Sequence, residues 1–115
     1  MVKTICSEIS RGTELLVHRG GVPPAVAAEM RAPFQAGDFP YPVKYGYLSV
    51  GAVASEPPQL RGERVFCLHP HQDRYVVPAN AVTPIPQDVP SHRALLAGAV
   101  ETAINGLWEA APPVR

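Results

Sequence analysis

Apolar residues in this chain fall into short runs separated by proline and glycine, with one longer run near the C-terminus. Val2 to Ile5 predicts a short strand. Tyr47 to Val53 predicts a second, in which Gly51 marks a bulge or a close approach by another backbone. Ahead of it, Pro40 and Pro42 stiffen the chain and remove backbone donors. Glu63 to His69 alternates as a strand should, with Val65, Cys67 and His69 on one face and Phe66 and Leu68 on the other. Arg74 to Val77 completes the strand pattern.

Three helices are predicted between these runs. The first spans Thr13 to about Arg19, with Thr13 capping backbone donors and Glu14 at its positive end. Gly20 and Gly21 would end it. A second runs from about Pro24 to Arg31, because proline is tolerated in a first turn. The third runs from Ser91, as N-cap, to about Ala110. It carries an apolar stripe of Leu96, Val100, Ala103, Ile104 and Leu107, and Ala97, Gly98, Glu101 and Asn105 form another face. Pro112-Pro113 would close it. The segments 33–37, 55–62 and 70–73 read as loops or turns.

Fourteen prolines and nine glycines among 115 residues are spread between the apolar runs. That spread predicts a mainly β, α+β domain of short strands and rigid turns, a small barrel or sandwich with a few helices. The length admits one domain. Ten Lys and Arg balance ten Asp and Glu. No basic run or basic-aromatic patch appears, which argues against a nucleic-acid partner. No stretch reaches membrane-spanning length and no signal layout opens the chain, so the expected location is the cytoplasm. Cys6 and Cys67 form no C-x-x-C and read as small buried hydrophobes.

The stretch Pro42-x-x-x-Gly46-x-x-x-x-Gly51-x-Val53 resembles a segment of the medium-chain dehydrogenase/reductase superfamily. There it commonly reads P-x-x-x-G-H-E-x-x-G-x-V, with His and Glu at a catalytic zinc. Here Tyr47 and Leu48 stand in those places. Ser7-Glu-Ile-Ser-Arg-Gly-Thr-Glu14 resembles the family's S-G-I-C-G-T-D, with Ser10 in the place of a cysteine ligand and one residue inserted. Gly62-Glu-Arg-Val65 and Val82-Thr-Pro-Ile-Pro86 are similar to further family segments.

The resemblance implies a GroES-like, partly open β-barrel over residues 1–111, lacking two leading strands. Residues 112–115 would begin the link to an absent nucleotide-binding domain. The sequence contains no G-x-G-x-x-G, so no Rossmann domain is expected in this chain. The implied function is the substrate-binding part of a zinc-independent NAD(P)-dependent oxidoreductase acting on an alcohol or carbonyl. NAD(P) would belong to the complete protein, not to this chain alone. With its ligand positions replaced, the chain is expected to bind no zinc. The alternative is a stand-alone small barrel serving as a binding or assembly module.

Without a metal, hydrogen-bond donors must steady a substrate oxygen and a side chain must move its proton. Tyr47 faces the pocket if the fold is shared; otherwise its ring packs in the barrel. Ser10 and Thr13 are either site hydroxyls or turn and capping groups. Glu101 is either a site carboxylate or the ion-pair partner of an arginine such as Arg11 or Arg93. His71 either lines the substrate mouth or sits in a solvated turn. Cys67, His69 and His71 alternate, but Pro70 interrupts the strand and the spacing does not close a tetrahedral metal site. His18 and His92 read as surface residues. Missing leading strands would leave sheet edges and apolar surface uncovered, Trp108 among it, so self-association is expected.

Overall fold

The computed structural model describes residues 1–111; the predicted closure at Pro112-Pro113 and the start of a link at 112–115 lie outside the described residues. The chain folds as an α+β unit. Its main sheet holds five antiparallel strands in the order β6-β1-β4-β5-β7. These are β1 (Val2–Ser7), β4 (Ser49–Val53), β5 (Arg64–Cys67), β6 (Arg74–Tyr75) and β7 (Val82–Pro84). A two-residue pair, β2 (Ala36–Gly37) and β3 (Val43–Lys44), lies apart. The short strands β6 and β7 form the two edges, so the sheet does not close on itself among the described residues.

The strand predictions hold in place and shrink in length. The runs expected from Tyr47, Glu63 and Arg74 pair only over β4, β5 and β6. β1 instead continues past Ile5 to Ser7, through a register shift between Thr4 and Cys6. Gly51 lies opposite Thr4 beside this bulge. A Cβ at Gly51 would fall 2.6 Å from the Lys3 carbonyl oxygen and 2.4 Å from a Val2 methyl. The close approach predicted for this glycine is real.

One side of the sheet buries Val2, Val53, Val65, Cys67 and Tyr75 together. The other buries Leu48, Val50, Ile85, Ala94 and Leu95. The predicted faces of β5 follow: Val65, Cys67 and His69 are buried, and Leu68 is exposed. Cys67 is the buried hydrophobe expected, whereas Cys6 is only half-buried. Burial raises both thiols above their ordinary pKa.

Helix α1 (Thr13–His18) matches its prediction to within a residue. Its end is a Schellman motif: the Gly21 N–H reaches the Leu16 carbonyl, the Gly20 N–H reaches Val17, and Gly20 has φ +65°. Its start differs. Gly12 takes the N-cap position and Thr13 is the first helical residue, so Thr13 caps nothing.

Two helix predictions are corrected. Pro24 to Arg31 forms only a 3-10 turn, Pro24–Val26, followed by isolated turns. The segment buries no residue, and so short a helix does not persist without a packed face. The long C-terminal helix is broken in two, α2 (Ser91–Ala94) and α3 (Ala97–Ala110). Pro90, not Ser91, is the N-cap. The Arg64 guanidinium, on β5, gathers this region: it donates to the Val89 carbonyl (2.9 Å), to Ser91 Oγ (3.1 Å) and to the carbonyls of Pro86 and Gln87. α2 is thereby held against β1 and β4, with Ala94 and Leu95 in the core. After the break, Gly98 passes so near Leu48 that a Cβ would lie 2.6 Å from its Cδ2.

α3 then leaves the sheet and buries no residue. The radius of gyration is 15.8 Å and the thinnest dimension 21 Å. A compact domain near this size has a radius of about 13 Å. The excess fits a slab with a projecting helix.

Candidate functional site

The loop after β5 returns toward β1 and brings His71 to Ser7 and Glu14. Thr4 fixes that loop: its N–H bonds the Asp73 carbonyl and its hydroxyl donates to the Gln72 carbonyl. Gly46 sets the other side. It has φ +123°, and a Cβ there would fall 2.7 Å from the His71 ring. Glycine is needed here twice over, for the backbone angle and for the space.

The His71 ring is held at both nitrogens. Nδ1 lies 2.8 Å from Ser7 Oγ, and Nε2 bonds Glu14 Oε1. The other Glu14 oxygen accepts the Ser10 N–H at 2.6 Å. The Glu14 side chain is 9% exposed and that of His71 31%, so the carboxylate is sheltered and the imidazole reaches solvent. Because a carboxylate only accepts, the network assigns the Nε2 proton to the Glu14 bond and leaves Nδ1 to accept from Ser7. An imidazole oriented by a carboxylate, with a hydroxyl on its other nitrogen, is the arrangement that moves protons efficiently.

Glu14 and His71, but not Ser7, line a cavity of about 710 Å³ together with Ile9, Ser10, Arg11 and Leu15 among others. Two candidate residues from the sequence, Ser10 and His71, therefore meet at one place. Thr13 stands on α1 next to Glu14 but does not line that cavity. Tyr47 is half-buried, packs on the core side with Leu48 and Val50, and meets Tyr45 edge-on at 6.1 Å. It does not line the cavity. Glu101 lies on α3, exposed, beside a separate apolar cleft with Phe66, Ile85 and Val89. It forms no ion pair with Arg11 or Arg93 among the described residues.

Sequence reasoning had Glu14 as a helix-end charge and did not single out Ser7. The signal for Glu14 was present in its acidic place beside the Ser10 segment. Nothing local marked Ser7, because its meeting with His71 spans 64 residues.

His69 has a different environment. Its ring is buried and stacks on Tyr75 at 3.8 Å, with Phe34 on its other side at 5.5 Å. Nδ1 lies 2.9 Å from the Pro70 carbonyl and so carries the proton. Burial pushes the His69 pKa below its ordinary value, against the pull of the Pro70 bond. Tyr75 shares a hydrogen bond of 3.2 Å with Ser49, and burial lifts its phenol to about 12. Cys67, His69 and His71 form no metal-holding group among the described residues: Cys67 and His69 face the core, and His71 faces Glu14.

Dinucleotide-binding domains are built on parallel βαβ units. Every strand pairing among the described residues is antiparallel, so no βαβ crossover supplies a helix N-terminus for a pyrophosphate. Comparison with family models, with curated proteins and with solved structures returned no match, which leaves the Ser7–His71–Glu14 geometry as the ground for a functional reading.

Proposed function

We propose that this chain is the substrate-binding part of a zinc-independent NAD(P)-dependent oxidoreductase that acts on an alcohol or carbonyl. The observation that carries the reading is His71, held between Glu14 and Ser7 at the wall of the cavity. Oxidation of an alcohol releases a proton as well as a hydride, and reduction of a carbonyl takes one up. His71 receives or supplies that proton at Nδ1, and the exposed Ser7 hydroxyl passes it on. Glu14 fixes the orientation of the ring through its bond to Nε2. Ile9 and Leu15 supply apolar contact for the substrate body. The dinucleotide would accept the hydride in the oxidation and supply it in the reduction, held by a part of the protein outside this chain. The open antiparallel sheet with short helices supports a GroES-like assignment, and a cytoplasmic location is proposed with it; no described helix is long and apolar enough to cross a membrane.

The test is nicotinamide turnover by the complete gene product against a panel of aldehydes, ketones and alcohols. His71→Asn should lower kcat by roughly 10²-fold or more, the usual reach of a positioned acid–base group. Tyr47→Phe should cost less, because its hydroxyl lies away from the cavity. No turnover with any of these compounds, or equal loss in the two variants, would reject the reading.

A second reading, a non-catalytic assembly module, is favoured by α3. Val100, Ile104, Leu107 and Trp108 are all exposed, Trp108 at 75%. Self-association through this helix and the free sheet edges is proposed with it. Light scattering at micromolar concentration is the check. A stable monomer would remove the module reading and leave the redox one.

A further inference from the structure

His71 is the wall between two cavities of unlike character. The first is the apolar one described above. The second, about 900 Å³, lies on the other side and is lined by Lys3, Lys44 and Arg74 with Thr4, Gln72, Asp73 and His71. Three cations face one carboxylate there. The ion pairs among the described residues are Arg31–Asp38, Arg61–Glu56 and His71–Glu14, so none of the three cations is neutralised by a partner.

Their placement is unfavourable on its own. Lys3 of β1 and Arg74 of β6 are direct cross-strand partners in the antiparallel register, which sets both side chains on one face. Like charges directly opposite destabilise a strand pair. Lys44, on β3, brings a third positive charge to the same cleft, close enough to disfavour protonation of His69. The loop carrying Gln72 and Asp73 is tied to Thr4 through two hydrogen bonds, so the floor of the cleft is fixed while its charges repel. A bound anion with two negative charges would relieve that repulsion. Lysine and arginine around a dianion are the usual means of holding phosphate.

We propose that this cleft binds a phosphate group, with Lys3, Lys44 and Arg74 as its cationic contacts. The group could be free phosphate or the phosphoryl end of a small metabolite. Joined to the redox proposal, and resting on it, the site makes the substrate a phosphate-bearing alcohol or carbonyl whose reacting oxygen lies at His71.

The experiment is calorimetric titration of the full chain with inorganic phosphate and with glycerol 3-phosphate, against sodium chloride at matched ionic strength. Saturable binding of either phosphate is expected. Tighter binding of the ester identifies a metabolite site, and equal or weaker binding identifies free phosphate. The Lys3→Gln/Arg74→Gln double variant should weaken binding by roughly a hundredfold, about tenfold for each of the two charge-assisted hydrogen bonds lost. It should also melt at a higher temperature than the parent without ligand, because the opposed charges are gone. No saturable binding, or binding unchanged in the variant, overturns the proposal. Neither readout uses turnover, so failure of the phosphate site and failure of the redox reading are separable.

Discussion

β4 and α3 are both rich in apolar residues, and they have opposite surroundings. Four of the five residues of β4 are buried, with neighbours on both sides in the sheet. None of the fourteen residues of α3 is buried. Residue type does not separate them. β4 lies between two strands whose side chains close over it, whereas α3 is carried away from the sheet by the break at Leu95 and Leu96. Apolar sequence earns stability only where a second surface meets it.

The sharpest test is made at that break, where two leucines are adjacent. Leu95 is buried and Leu96 is half-exposed. Leu95→Ala should cost about 2–5 kcal/mol of folding stability and Leu96→Ala about 0.5 or less, by urea unfolding. Equal losses would mean that α3 packs where the structure leaves it free.

Glycines extend the comparison. Gly51→Ala should destabilise by about 1–3 kcal/mol, since the new methyl meets the Lys3 carbonyl. Gly106 on α3 has open space around it, and Gly106→Ala should stabilise by about 0.5–1 kcal/mol through helix propensity alone. A destabilising Gly106→Ala would show that α3 is covered in solution.

Titration separates the regions as well, because the sheet half buries ionisable groups. His69 titrates below its ordinary value of 6.5 when folded. The unfolded chain therefore takes up a proton first, and this contribution is complete above pH 6.5 and lost as pH falls toward the folded value. Tyr75 works in the opposite sense: its contribution is present below pH 10.0 and is lost as pH rises toward about 12. Unfolding midpoints measured across pH should drop at both ends. His69→Gln should flatten the acid limb and Tyr75→Phe the alkaline one; an unchanged acid limb in His69→Gln would remove His69 from this account.

The smallest effect on stability is expected at the exposed stripe. Ile104→Glu with Leu107→Glu should change folding stability by about 0.5 kcal/mol or less. The same pair should reduce any self-association seen by sedimentation.

Much of the sheet could be read in advance, because β1, β4 and β5 are apolar runs bounded by turn residues and such runs have few other uses. α1 was legible for a similar reason: its glycine end has a fixed geometry. The Pro24–Arg31 segment has helix-forming residues but no face to bury, and propensity alone did not reveal that. The break at Leu95 was hidden because the apolar spacing continues across it; the Arg64 bonds that hold 86–91 against the sheet come from β5, far away in sequence. The candidate site divides the same way. Ser10 and His71 were recognisable as chemistry-bearing residues, but the pairing of His71 with Glu14 joins positions 57 residues apart. No local pattern encodes that distance.

The extra residue in β1 has a consequence for how this gene tolerates change. Opposite Val53 and Gly51, Val2 and Thr4 share one face of the sheet; beyond the register shift, Ser7 pairs with Ser49 on that same face. Even spacing without the shift would have turned Ser7 to the other side, away from His71. The role of position 5 is thus to be counted rather than to be a particular amino acid. Many side chains would serve at Ile5, which is exposed, but deleting it would rotate everything downstream in the strand by half a turn. Length is under tighter constraint there than identity.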